Sequence, residues 1–399
     1  MLEGNCLLNA ILIPTILVPG KNKLPRHAAR LLLGAFLASA DSVFAQDVGA
    51  PAGLVFGTTA CSSCHGKADE RSRQYIVWSQ HDAHSRAYAT LTTARAARMA
   101  EALKIASPLA DARCTSCHAP VQTVAPALLA PTARIVEGVA CASCHGVTGD
   151  WLRSHTRPDF THEDRVASGM RELRDPYHRA NACVACHQIT EPALVAVGRH
   201  PALLFELDGQ TRSAPRHWRE AAGYDGAQAW YVGQAVALRE MSAAMQDGRI
   251  DAAPETPRWQ ALLWLVQRTG LDYDSPQLAG LPLTATPSTL ATATAFSDRV
   301  AQRAAKTWAP AQTKALLAKL AATHPEFSAA DVPQPAQACR ADRLVLALDR
   351  LLAAQPAAER PAAASARLDE LFRLVQSQQD FVPVKFARTL AAFARDLGP

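Results

Sequence analysis

Hydrophobic positions fall at helical spacing through the last third of the chain. Leu344, Leu348, Leu351 and Leu352 form one such stripe. Leu368, Leu371, Phe372 and Val375 form a second, and Phe386, Leu390, Phe393 and Leu397 a third. Apolar residues recurring every three or four positions predict amphipathic helices, with the stripe turned to a core. Pro-rich stretches at 274–290 and 331–337 predict linkers between them. Upstream of about residue 220 the pattern is short and broken. There only 82–105 predicts a sustained helix, with Asp82 as N-cap and an apolar face of Tyr88, Leu91, Met99 and Leu103.

Abundant Ala and an aromatic content of 6% favour helices over strands. The expected fold class is therefore mainly α: a loop-rich region up to about residue 220, followed by an all-helical C-terminal region. The expected divisions are a leader (1–45), a first domain (46–220) and an Ala-rich helical domain (221–399). The leader is read from a basic segment, Lys21 to Arg30, and an apolar run, Leu31 to Ala40, too short to span a bilayer. Small residues at Val43-Phe44-Ala45 place cleavage near Ala45, with Gln46 starting the mature chain. A second apolar run at 6–19 precedes the basic segment. It reads either as an upstream start codon or as an uncleaved anchor, and only the latter implies membrane association.

The chemistry lies in the first domain. Cys-x-x-Cys-His occurs four times, at Cys61-Cys64-His65, Cys114-Cys117-His118, Cys141-Cys144-His145 and Cys183-Cys186-His187. This is the attachment signal for c-type haem. The two thiols add across the porphyrin vinyl groups, the two spacer residues set the distance between the sulfurs, and the adjacent His ligates iron. A zinc site would close one tetrahedron from two pairs and has no use for a His after every pair. A redox dithiol would occur once. Four repeats predict four covalently attached haems c with their iron, and a tetrahaem domain wrapped around them. Cys6 and Cys339 stand apart from the motifs.

The cofactors change the meaning of the charge. The formal net charge is +5. Without residues 1–45 it becomes +3, and four ferric haems, each −1 with ionised propionates, bring it near −1. No nucleic-acid partner is expected.

The segments between the motifs resemble the cytochrome c554 family of multihaem cytochromes, related to the hydroxylamine-oxidoreductase-like haem proteins. The resemblance runs from Cys61 to about Trp218. It rests on the motifs in order, on His84-x-x-Ala-Tyr88 after a Trp, and on Glu137-Gly-Val-x-Cys141-x-x-Cys-His-Gly146. A Trp151-to-His155 step and Gly-x-His200-Pro before Phe205-Glu-Leu complete it. It implies distal iron ligands at His84, His155 and His200. Many relatives continue with a further motif beyond the Trp218 region, whereas the last one here begins at Cys183.

For the fourth distal position His81, His162, His178 and His217 compete, or one haem is left five-coordinate. His217 with Trp218 reads as a packing or turn element. The run Asp159 to Arg165 reads as a solvated loop. A closed bis-His haem suits outer-sphere electron transfer, and an open one binds small molecules. The expected function is a periplasmic electron carrier with redox-protein partners and no catalytic residue. One alternative is an oxidoreductase acting on a small nitrogen or sulfur species at an open haem. Another is a haem-bearing subunit docked by its helical C-terminal half onto a larger redox complex.

Overall fold

The computed structural model describes residues 53–149, 151–271, 273, 275–329 and 331–398. The leader, its cleavage position, the 6–19 run and Cys6 lie outside the described residues. Among those described the chain is mainly helical, with no strand beyond an isolated bridge between Val55 and Leu129.

Two textures meet. From Gly226 onward, long helices pack around a single core. Gly226–Gln246 and Ala252–Thr269 start at Asp225 and Asp251, whose carboxylates accept the first free backbone N–H groups. Ala252–Thr269 ends at Gly270 in the left-handed conformation (φ 65°). The core is built on Trp230, Trp259 and Trp264, with Leu344, Leu348, Leu351, Leu371, Phe386, Leu390 and Phe393 from the three predicted stripes, all fully buried. No described helix is long and apolar enough to cross a membrane.

The Pro-rich stretches are more ordered than expected of linkers. Pro276 opens the short helix Pro276–Ala279, Pro287 opens Pro287–Thr307, and Pro335 stands at the start of Gln334–Ala354. Proline lacks an N–H and has its φ preset for a helix, so it is tolerated in the first turn. A proline cluster therefore marks where these helices begin.

Between Thr59 and Ala196 the helices are short, and four of them carry the motifs: Thr59–His65, Ala112–His118, Cys141–His145 and Pro176–His187. The helix expected over 82–105 is broken into Ala83–Arg86, Ala87–Thr90 and Ala94–Ala102. Asp82 does cap, accepting from the His84 N–H. The backbone carbonyls a continuous helix would use are engaged elsewhere: the His84 carbonyl accepts from Val139 N and the Ala87 carbonyl faces His118 Nδ1. Thr93 then restarts the helix by capping Ala96.

The buried apolar cluster of the motif region is small: Val55, Val124 and Ala142, with Leu129 and Val147 packed on them. Ala180, Val184, Phe205 and Leu207 join the large core instead. Gly233 allows that union, because a Cβ there would lie 2.9 Å from the Leu207 side chain. Arg258 and Arg343 hold the same strap. Arg258 donates to the Leu203 carbonyl, and Arg343 bonds Gln234, which donates to the Phe205 carbonyl at 3.3 Å. The helical half thus grips the segment that begins at His200-Pro201.

Candidate functional site

Each motif helix ends on its histidine, so the imidazole projects from the last turn. Every one of these four rings faces one further histidine. His65 faces His155 with ring centres 6.1 Å apart, and His118 faces His200 at 6.4 Å. His145 faces His217 at 6.5 Å, and His187 faces His84 at 6.0 Å. A histidine nitrogen sits about 2.0 Å from a first-row metal, so two imidazoles on opposite sides of one iron have ring centres about 6.3 Å apart. All four sets fit that spacing. Among the described residues no three His, Cys, Asp or Glu side chains converge as they would for a bare metal ion.

The outer ring nitrogens are largely engaged, which leaves Nε2 for ligation. Nδ1 of His65 meets Gln74 Oε1 at 2.9 Å, and that of His118 meets the Ala87 carbonyl at 3.0 Å. Nδ1 of His155 meets the Trp151 carbonyl at 3.0 Å, and that of His200 the Pro201 carbonyl at 2.8 Å. His84 differs: its Nδ1 lies 3.0 Å from the carboxylate of Asp82, which is 6% exposed. Burial opposes ionisation of Asp82, but the hydrogen bonds from His84 outweigh it and hold the carboxyl below its ordinary range. His217 is turned toward the Pro215 carbonyl, although its buried Nδ1 closes no hydrogen bond of good geometry. Burial pushes His145 and His187 down to about 4, which keeps both imidazoles neutral, as a ligand must be.

The remaining candidates stand elsewhere. His81 is exposed. His162 is paired with Glu172, and His178 with Asp175 at 3.1 Å. The Asp159-to-Arg165 run is not all loop. Thr161 and Asp164 form a capping box that opens the helix His162–Ala167, while Asp159 pairs with Arg157.

The segment Glu137-Gly138-Val139 ties these parts together. The Glu137 carboxylate accepts from both the backbone and the hydroxyl of Thr58, at the start of the first motif helix. Val139 N donates to the His84 carbonyl, and the Val139 carbonyl accepts from Trp78 Nε1 at 3.0 Å. Gly138 permits this approach: its φ is +66°, and a Cβ would come within 2.6 Å of the His84 carbonyl oxygen.

The motifs also approach one another. The thiols of Cys61 and Cys141 come close enough to interact, which holds Cys61 below its ordinary range and pushes Cys141 above it. Cys117 and Cys186 are likewise close, and that contact holds Cys117 down to about 7. Burial raises Cys183 most and Cys144 of the third motif adds to it electrostatically, which puts the third and fourth motifs close together, as does the action of His84 on His217.

Paired thiols on one turn of helix, with a histidine beside them and a second histidine across from it, define a c-type cytochrome. The family comparison agrees. Residues 60–146 match the family described as cytochrome c554 and c-prime. That stretch, which contains the first three motifs, is cytochrome c554-like, with covalently bound haem c and its iron serving electron transfer. No match was found among curated proteins or among solved structures.

Sequence reasoning kept His217 as one of four competitors for the last distal position while reading it, with Trp218, as a packing or turn element; the two rings do pack, with centres 5.1 Å apart. Nothing local distinguishes such a histidine from a ligand. The available signal was arithmetic, since four motif histidines call for four partners. Asp82 was read only as a helix cap, and its bond to the His84 ring appears only once the chain is folded.

Proposed function

We propose that this chain is an exported, periplasmic tetrahaem c-type cytochrome that relays electrons between redox-protein partners. The observation that carries the reading is the set of four histidine pairs, each joining one motif histidine to one other. Cys61, Cys64, Cys114, Cys117, Cys141, Cys144, Cys183 and Cys186 would hold the porphyrins through thioethers. His65 with His155, His118 with His200, His145 with His217 and His187 with His84 would ligate the irons. The cofactor supplies a one-electron ferric–ferrous couple. The chain sets the order of the sites. Cys61 beside Cys141 joins the first to the third. Cys144 and His217 bring the third to the fourth, and Cys117 beside Cys186 joins the fourth to the second. The resulting order is first, third, fourth, second.

His217 is what weighs against an enzyme with one open-coordinate haem, because it supplies the partner of His145 that the third site lacked. The intact mass of the chain purified from a periplasm competent in haem attachment tests the count. Four haems added to a chain shortened near Ala45 are expected. Three or fewer at full maturation would contradict the reading.

Asp82 gives the fourth site a character of its own. A carboxylate accepting the Nδ1 proton makes the imidazole a stronger donor, which favours the ferric state. In Asp82→Asn that push is weakened. One of the four midpoint potentials is expected to rise by about 59 mV, a tenfold change for one electron. Potentiometric titration checks this, and four unchanged midpoints would remove Asp82 from the account.

A further inference from the structure

The helix Ala94–Ala102 and the turn 197–199 enclose a surface cavity of about 350 Å³. Its apolar lining is Met99, Ala102 and Val197, the last two exposed, and Arg95, Arg98 and Arg199 line it as well. Arg95 Nη2 donates to the Arg199 carbonyl at 3.1 Å, which fixes the turn against the helix. Gly198 lets the two come close, since a Cβ there would lie 2.8 Å from the Leu103 side chain. Arg199 takes a left-handed backbone (φ 59°), a conformation that costs a residue with a side chain of order 1–3 kcal/mol. Among the described residues no carboxylate forms an ion pair with any of the three arginines, and the exposed Glu101 on the same helix pairs with none of them. Three uncompensated guanidinium groups beside an apolar lining suit a ligand with an apolar body and one or two carboxylates. Arg199 is also the residue before His200, which faces His118.

We propose that this cleft is a carboxylate-binding site attached to the second haem position. The proposal rests on the tetrahaem reading. Two sources of the carboxylates share this chemistry: the propionates of the haem held at His118 and His200, or a soluble dicarboxylate. In either case the arginines favour the state with one positive charge fewer, so they raise the potential of that site.

The test compares the wild-type holoprotein with Arg98→Ala and with Arg95→Ala/Arg98→Ala. Both substitutions lie on an exposed helix face, and circular dichroism checks the fold. Midpoint potentials are read with and without succinate at constant ionic strength, and succinate binding is read by calorimetry. If propionates fill the cleft, one midpoint of four falls in the double variant by at least a tenfold shift in reduced-to-oxidised ratio, and succinate changes nothing. If a soluble dicarboxylate fills it, succinate binds the wild type saturably and lowers one midpoint, because its negative charge offsets the arginines, and both effects vanish in the double variant. Unchanged midpoints together with no succinate binding would overturn the proposal. Haem content and spin state on the same samples report separately on the tetrahaem reading, so failure of that reading is visible as such.

Discussion

Expressed without haem attachment, the chain keeps its helices from Gly226 onward and loses ordered structure across the motif region. The reason is where the apolar burial lies. The long helices close over a continuous core of Trp, Leu and Phe side chains, whereas the cluster formed by Val55, Val124 and Ala142 is too small to order the region around it. The motif helices Thr59–His65, Ala112–His118 and Cys141–His145 are only five to seven residues long. Helices of that length do not persist alone in water. Hydrogen exchange on a variant with all eight motif cysteines changed to Ala provides the measurement. Strong protection is expected within Gly226–Gln246, Ala252–Thr269 and Gln334–Ala354, with almost none in the first three motif helices. Protection of those three helices without haem would show that the protein alone makes that core.

Replacing His217 by Ala opens one coordination position. One site of four is expected to change from low spin to high spin and to bind carbon monoxide or cyanide, while the other three keep their spectra. His81→Ala, His162→Ala and His178→Ala should leave all four unchanged, because His81 is exposed, His162 is held by Glu172 and His178 by Asp175. Optical titration with the added ligand separates these outcomes. If His217→Ala left every site low-spin, another residue would have to complete the third site.

The two electrostatic features point in one direction. On the proposed tetrahaem reading, Asp82 would lower the potential of the fourth site and the arginine cleft would raise that of the second, which adjoins it through Cys117 and Cys186. Electrons reaching the fourth site would settle on the second, at the end of the relay.

The helical half was legible in the sequence because leucine and phenylalanine at helical spacing mean the same thing wherever they occur. The haem motifs were legible because their chemistry fixes three residues within five, but that each ends a short helix was not read from the sequence. What could not be read was set by contacts distant in sequence. The helix over 82–105 breaks because Val139 and His118 engage the carbonyls of His84 and Ala87. The prolines of the expected linkers became helix starts because proline, lacking an N–H and with its φ preset, fits the first turn. The partner of His145 was legible neither from spacing nor from composition, since His217 reaches it from 72 residues away along the chain.

Low-temperature EPR of the fully oxidised protein, with haem quantified on the same sample, tests the central claim most directly. Four low-spin ferric haems are expected, and their line shapes should differ. The planes of His65 and His155 are 14° apart, whereas the other three sets are crossed at 82°, 79° and 64°. Parallel imidazoles split the two iron orbitals that overlap with them, and crossed ones leave the pair nearly degenerate. One rhombic signal and three of large anisotropy are therefore expected. A high-spin signal equal to one haem or more would contradict four bis-histidine sites.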